Sequence, residues 1–456
     1  MAKIIASHLR ETSQGRGPVS TRQSPAELAQ QFRAVLPQQG VSWDAVLDQL
    51  KEGMSESTRL THPMYMGHQV CAPLPMAVWV ESLIAAMNQS MPVWEMSPVA
   101  TIIENQVLRW MADLAGFGPS AGGVITSGAT EATFTALLAA RARLIPDAWT
   151  KGVGSPLPLV LCGAHAHYCV ARAVAQLGLG TDQVVTVPSK DLHLDPSALD
   201  TVLTSALSAG QRVLAVVATS GCAPTGSFDD LETIGRICES HRVWLHVDGA
   251  HGASSLMSPA HAHRMRGVAR ADSLAWDPHK MMSMPLQTGI LLIRNEKELE
   301  KAFAQTAPYL FQPEGSERSW DQGKRSFQCS RRADALKLWA CLKRYGASTF
   351  GILYEHLCSL AQSLHHLIEL HPDFEAIHRP ETNILCFRFL KAGLNPTALD
   401  AFNLNLREKY NRGGRGWITT TLLDQRRVLR VALMNPRTEM RHLQALLDGL
   451  LNEAAA

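Results

Sequence analysis

No apolar run in the chain reaches the roughly 18 residues that a membrane-spanning helix needs. The first residues, MAKIIASHLRETSQGRG, have no apolar core of the signal-peptide kind, so no membrane partner is expected. A charge excess is missing too: 43 Lys and Arg face 41 Asp and Glu, a balance of +2 with 18% charged residues. That excludes the basic surface of a nucleic-acid or polybasic membrane binder. The nine cysteines include no CxxC pair, and Cys162, Cys238, Cys341 and Cys386 lie in apolar runs. They read as buried thiols of a reducing cytoplasm, not as a disulfide framework or a zinc site. Internal repeats and low-complexity tracts are absent. With 456 residues, one compact core is too small a plan, and two or three domains or subdomains are expected.

What is present centres on residues 244–282, WLHVDGAHGASSLMSPAHAHRMRGVARADSLAWDPHKMM. An apolar strand through Val243, Trp244, Leu245 and Val247 stops on Asp248, followed by a small-residue turn, Gly249 to Ala253. About thirty residues on, a second apolar approach, Ser273 to Trp276, ends in Asp277-Pro278-His279-Lys280. A carboxylate at the end of an apolar strand is costly to bury without a partner. Asp248 and Lys280 can meet at the carboxyl edge of a sheet, where open α/β folds place their sites. The pair is either an ordinary ion pair at strand ends or the two poles of a pyridoxal phosphate (PLP) site. In the latter, a lysine holds the cofactor and an acid keeps its ring nitrogen protonated.

Other stretches carry similar double readings. Gly122 to Ala132, GGVITSGATEA, puts small residues and a hydroxyl at the start of a long helix, Ala132 to Leu144. Such a start is an ordinary cap or a phosphate site built from backbone N–H groups. His165 and His167 stand at i, i+2, but no third ligand sits at a metal-binding spacing, so no metal is expected. Thr61 to His68 is loop-like. Trp417 to Leu423 and Val428 to Leu433 read as a hairpin across residues 424–427, with Arg430 inside its second strand. Arg430 is a snorkelling edge residue or a carboxylate binder. Alternating strands and helices, such as Val213 to Ala218 and Leu231 to Ser240, predict a mainly parallel sheet. Residues 1–23 are polar and read as disordered or poorly packed. Ser24-Pro25-Ala26-Glu27 is a capping box opening a helix with Leu28, Phe32, Val35 and Leu36 on one stripe, and a second helix is expected over Trp43 to Met54.

HVDGAHG followed by DSLAWDPHKMM, together with TSGATEA, resembles the group II PLP-dependent amino-acid decarboxylases, from about His62 to the C-terminus. The resemblance implies an α/β protein of PLP-dependent fold type I, aspartate-aminotransferase-like, with a mainly parallel seven-stranded sheet and a small C-terminal α/β domain. It implies an N-terminal segment, 1–90, packed on a partner subunit in a homodimer, a large PLP-binding domain, 91–345, and a small domain, 346–456. On the family pattern Lys280 holds PLP, Asp248 protonates its ring nitrogen and His167 stacks on the ring. Ala129 and Thr130 hold the phosphate, and Ala250 and Cys222 lie at cofactor contacts. His279 reaches the phosphate or the reacting carboxylate, while Arg430, His62 and Tyr65 belong to the substrate end. For His167 and His279 an ordinary hydrogen-bonded structural role is the alternative, and for the Thr61 loop a plain surface.

Two departures from the family stand out. Cys222 occupies a position where the family carries threonine, and a thiol is the weaker hydrogen-bonder. Matching Trp320-Asp321-Gln322-Gly323 to the family's Tyr-Asp-Thr-Gly places Ser316 where a tyrosine that protonates Cα is expected. Serine is a far weaker acid. Slow protonation would expose the substrate carbon to oxygen, which in the family is associated with aldehyde synthesis. The runs HKMM and YLFQ resemble the acidic-substrate branch, favouring glutamate, aspartate or cysteine sulfinate over 2,4-diaminobutyrate or an aromatic amino acid. A non-catalytic PLP-binding homologue is the reading from another class. The intact Asp248 and Lys280 argue against it.

Overall fold

The computed structural model describes residues 1–305, 307, 310–311 and 320–455. The chain divides into two compact units, one of residues 73–356 and one joining residues 1–72 to 357–456.

The 73–356 unit is built on a seven-stranded sheet. Its strands are β1 (Gly122–Thr126), β2 (Leu159–Gly163), β3 (Val184–Val187), β6 (Val213–Thr219), β7 (Trp244–Asp248), β8 (Ser273–Trp276) and β9 (Gly289–Ile293), while β4 (Ser189–Lys190) and β5 (His193–Leu194) form a small side hairpin. The spatial order is β1-β9-β8-β7-β6-β2-β3. Every pairing is parallel except those of β9, which runs antiparallel to both β1 and β8. Successive side chains point to opposite faces, and both faces are apolar, as a helix-covered parallel sheet requires. On β9, Ile290 and Leu292 join one core while Leu291 and Ile293 join the other. Leu245 and Val247 of β7 face the first core and Trp244 faces the second.

The helix Ala129–Leu144 covers the second face with Ala132, Ala136, Ala139 and Ala140, small residues that allow close approach to the strands. The helices Pro98–Leu114, Pro196–Ser208, Leu231–His241 and Ala335–Tyr345 cover the first. A bidentate pair, Arg331 to Glu104 at 2.7 Å on both oxygens, lies almost wholly buried in this unit.

The other unit carries an antiparallel sheet of β10 (Phe374–Ala376), β11 (Ile384–Phe389), β12 (Thr419–Leu423) and β13 (Arg426–Ala432), in the order β10-β11-β13-β12. The β12–β13 turn is the two residues Asp424-Gln425, with φ of 47° and 62°, the geometry that matches the twist of a tight hairpin.

Two expectations fail in this unit. Residues 1–23 are not unstructured: Ala2–Ser13 is a helix, Thr12, Val19 and Ser20 are buried, and the Val19 N–H donates to Gly414 O at 2.8 Å. The polar composition misleads because partners distant in sequence satisfy it, as when Thr61 Oγ1 donates to Thr12 Oγ1 at 2.7 Å. The capping box at Ser24 and Glu27 forms, but its helix ends at Gln31, and Phe32, Val35 and Leu36 are exposed. A stripe reaching Leu36 would need helix directly before Pro37, where the proline ring disfavours it.

Candidate active site

Five of the six parallel strands deliver chemistry to one carboxyl edge of the seven-stranded sheet, and β9 starts there. Asp248 ends β7 in register with Thr219 of β6 and Ala275 of β8. Its Oδ1 accepts the Ala250 N–H at 3.2 Å, and Ala250 O in turn accepts the Asp277 N–H at 3.1 Å. Ala250 therefore ties the two carboxylate-bearing turns together. The small residues after Asp248 are needed because a Cβ on Gly252 would stand 2.5 Å from Ser220 O.

Beyond β8, Asp277 to Lys280 forms a tight turn closed by the Lys280 N–H on Asp277 O at 2.9 Å. Lys280 Nζ lies 3.3 Å from Asp277 Oδ2, and His279 Nε2 lies 3.4 Å from the same oxygen. His279 is pinned to the start of β9, its Nδ1 accepting the Thr288 N–H at 3.0 Å. Among the described residues no ion pair joins Asp248 to Lys280, which sets aside the ordinary ion pair as the reason for both. The carboxylate partner of Lys280 is Asp277, a residue whose role the sequence reading did not single out. Its only signal was the i, i+3 spacing across Pro278. Burial alone would raise the Asp277 pKa, but the Lys280 ammonium and the His279 contact outweigh it and hold the carboxyl below the usual range.

His167 follows β2, with Nδ1 accepting the Cys169 N–H at 3.3 Å. Burial lowers its pKa most, and its imidazole also responds to Asp248, Lys280, Asp277 and Arg172, so it belongs to the same edge. Among the described residues no three His, Cys, Asp or Glu side chains gather in a metal-holding group. After β1, Gly128 begins the helix Ala129–Leu144 with no side-chain cap. Glu131, the acid of the first turn, is turned back onto Ser127, accepting its N–H at 2.9 Å and its hydroxyl at 2.6 Å, and takes Gln328 Nε2 at 2.7 Å. The N–H groups of Ala129 and Thr130 thus head a helix whose positive end lacks a side-chain cap. Cys222 is buried in the turn after β6, its Sγ 3.0 Å from Thr225 Oγ1 and 3.1 Å from Ser227 Oγ.

In the other unit, Arg430 lies on the inner strand β13, between Cys386 and Thr419, with only 7% exposed. It is no edge residue. Its Nη1 donates to Gly67 O at 3.2 Å. The loop carrying His62 and Tyr65, both buried, runs beside it, with Met66 N–H on Trp417 O and Ala432 N–H on Met66 O, each at 2.9 Å. Burial and the neighbouring Arg430 and Arg407 hold His68 below its usual pKa. Ser316 lies outside the described residues.

A mixed sheet with a lysine, a separate strand-end carboxylate, a histidine and an uncapped helix start on one edge defines a PLP enzyme of fold type I. Residues 25–390 match the model of the pyridoxal-dependent decarboxylase conserved domain. An L-2,4-diaminobutyrate decarboxylase of Rhizobium meliloti is 33% identical over 422 residues, spanning 91% of this chain and 83% of that protein. A cysteine sulfinic acid decarboxylase of Rattus norvegicus is 31% identical over 395 residues, 86% and 80% of the two chains. The crystal structure of mouse CSAD superposes with a TM-score of 0.93 at 27% identity, covering 99% of this chain and 98% of that one. The chain belongs to the pyridoxal-dependent decarboxylase family: it is a PLP-dependent carboxy-lyase acting on an amino acid.

The residues present fit PLP. The amine of Lys280 and the carboxylate of Asp248 are not joined to each other, and the helix start is free of a side-chain cap.

Proposed function

We propose that the protein removes the α-carboxylate of an acidic L-amino acid, glutamate, aspartate or cysteine sulfinate, releasing CO2 and the corresponding amine. When bound, PLP supplies the sink for the electron pair left on Cα as the carbon–carbon bond breaks. Lys280 binds it covalently through Nζ, and Asp248 holds the proton on its ring nitrogen. His167 lies against the ring, and Ala129 and Thr130 offer backbone N–H groups to the phosphate with His279 and Ala250 beside them. Cys222, its thiol engaged by Thr225 and Ser227, shapes the turn after β6 next to the cofactor. Arg430, with His62 and Tyr65, receives the substrate. Orientation and charge placement carry most of the rate.

The observation behind the acidic assignment is that Arg430 Nη1 donates to Gly67 O at 3.2 Å while Arg407 lies over the ring of Trp417, whose carbonyl accepts the Met66 N–H of the same loop. Two guanidinium groups by one loop suit a substrate with two carboxylate-like ends. A second reading, 2,4-diaminobutyrate, is favoured by the 33% identical relative of that name. Single turnover of the PLP-loaded protein with a panel of L-amino acids, following CO2, amine, ammonia and oxygen together, decides between them. Equal CO2 and amine from an acidic substrate is the expected result. Turnover of diaminobutyrate or an aromatic substrate alone would overturn the assignment, and oxygen uptake with ammonia would mark an aldehyde synthase.

On the same reading the working unit is a homodimer. The helices Pro25–Gln31 and Trp43–Glu56 bury no residue, and Phe32, Val35, Leu36, Val41, Trp43 and Leu50 form an exposed apolar set that a second copy covers. A monomer by sedimentation at micromolar concentration would refute this. Nine free cysteines, eight of them buried, support a reducing, cytoplasmic setting, which fractionation of expressing cells checks.

A further inference from the structure

A lysine that no step above uses is wholly buried. Lys337, on the helix Ala335–Tyr345, is 0% exposed, and a lysine stays buried only when its charge is paired. Its three N–H groups meet three acceptors: Glu81 Oε2 at 2.8 Å, Asp334 Oδ1 at 3.1 Å and Gln287 O at 2.8 Å. Neither carboxylate depends on it, because the exposed Arg332 pairs with Glu81 and stands 3.8 Å from Asp334. The contact that an exposed cation does not supply is the third, to the main chain.

That contact reaches the sheet edge through one peptide group. The carbonyl of Gln287 and the N–H of Thr288 belong to the same planar unit and point in opposite directions across a trans bond. Lys337 holds the oxygen, and the N–H donates to His279 Nδ1 at 3.0 Å. The His279 N–H in turn donates to Thr288 O at 3.2 Å, so the imidazole and the backbone aimed at it are tied together. A cation on the carbonyl polarises the peptide and makes its N–H the stronger donor. The same segment is gripped a second time by the Leu74 N–H on Ser283 O at 2.9 Å.

The consequence lies on the other side of the ring. With Nδ1 occupied as an acceptor, a singly protonated imidazole carries its hydrogen on Nε2. Nε2 faces Asp277 Oδ2 at 3.4 Å. The same side of the ring borders the start of the helix Ala129–Leu144: a Cβ on Gly128 would stand 3.2 Å from His279 Cε1 and 3.9 Å from Nε2. On the reading that the cofactor phosphate sits at that helix start, the N–H it meets is set from behind, by a residue of another helix.

We propose that Lys337 is a positioning residue for His279: through the Gln287–Thr288 peptide it fixes the imidazole as the tautomer that accepts at Nδ1 and donates at Nε2. It acts across one peptide group and one ring, without itself reaching the cofactor.

Solid-state 15N NMR of the cofactor-free protein labelled with 15N-histidine, at mildly alkaline pH, tests this. The His279 signals are those lost in His279→Gln. Wild-type protein should show an unprotonated, hydrogen-bonded Nδ1 and a protonated Nε2. Lys337→Met keeps the bulk and leaves both carboxylates to Arg332. In it the Nδ1 signal should move toward that of a weaker hydrogen bond, and PLP should bind about tenfold more weakly, the worth of one hydrogen bond. Asp334→Asn removes a partner of Lys337 but not its hold on Gln287, and should lower the urea midpoint without moving the His279 signals. His279 signals equal to wild type in Lys337→Met, or displaced as far in Asp334→Asn, overturn the proposal. Displaced signals with wild-type PLP affinity uphold it and overturn the phosphate reading instead. Should Lys337→Met fail to fold, a wild-type His279 with its hydrogen on Nδ1 still overturns the proposal.

Discussion

A single methyl group added at Gly289 should separate the geometry of the sheet edge from the fold beneath it. Gly289 opens β9 in register with Thr126 of β1. A Cβ there would lie 2.4 Å from Gly128 Cα, 2.6 Å from Gly128 N and 2.7 Å from Thr126 Oγ1. Carbon atoms rest at about 3.5–4.0 Å, so Gly289→Ala demands a retreat of about 1 Å. β9 is paired on both sides and cannot give way easily. The softer partner is the turn at Gly128, held at φ 151°, a conformation open in practice only to glycine. That turn starts the helix Ala129–Leu144 and touches His279, whose Cε1 would be 3.2 Å from a Gly128 Cβ. Overpacking of this kind costs about 1–3 kcal/mol of stability, which leaves a folded protein. A 1 Å misplacement at a reacting site costs on the order of 10²-fold in rate. Titration of cofactor-free Gly289→Ala with PLP, followed by absorbance, should show weakened binding, and kcat/KM should fall on that scale with the far-ultraviolet circular dichroism unchanged. Wild-type affinity and turnover in this variant would refute the argument that the β1 and β9 ends are packed to place the helix start.

Glu104→Ala strands the Arg331 guanidinium, 4% exposed, without its two 2.7 Å bonds. Urea unfolding should register a loss of about 3–5 kcal/mol, most of it recovered in Glu104→Ala/Arg331→Met because the cost is that of an unpaired buried charge. His246 is fully buried, and that burial lowers its pKa from the ordinary imidazole value of 6.5 to about 3. Between those values the unfolded chain binds a proton that the native one does not. Stability should therefore fall as pH drops below 6.5, by about 1.4 kcal/mol per unit from this group. Urea midpoints from pH 7 to 5 should fall less steeply in His246→Gln, and equal slopes would remove His246 as the cause.

The strands were legible where their side chains are apolar on both faces. Val213 to Ala218 is a continuous apolar run and forms β6, and the runs ending on Asp248 and at Asp277 form β7 and β8, so the edge could be located before its geometry was known. The hairpin around residues 424–427 was legible too, although the turn is tighter, because the apolar pattern on each side brackets it. The helix Ala2–Ser13 was hidden by composition, since its buried contacts are made by hydroxyl and backbone groups that read as solvent-facing in a string of letters. Arg331 and Glu104 stand 227 positions apart, and no local pattern announces such a pairing. The partner of Lys280 was hidden differently. Asp277 is in plain view three residues away, but whether a carboxylate faces a lysine across a turn depends on the backbone path, which Pro278 and the Lys280 N–H to Asp277 O bond close.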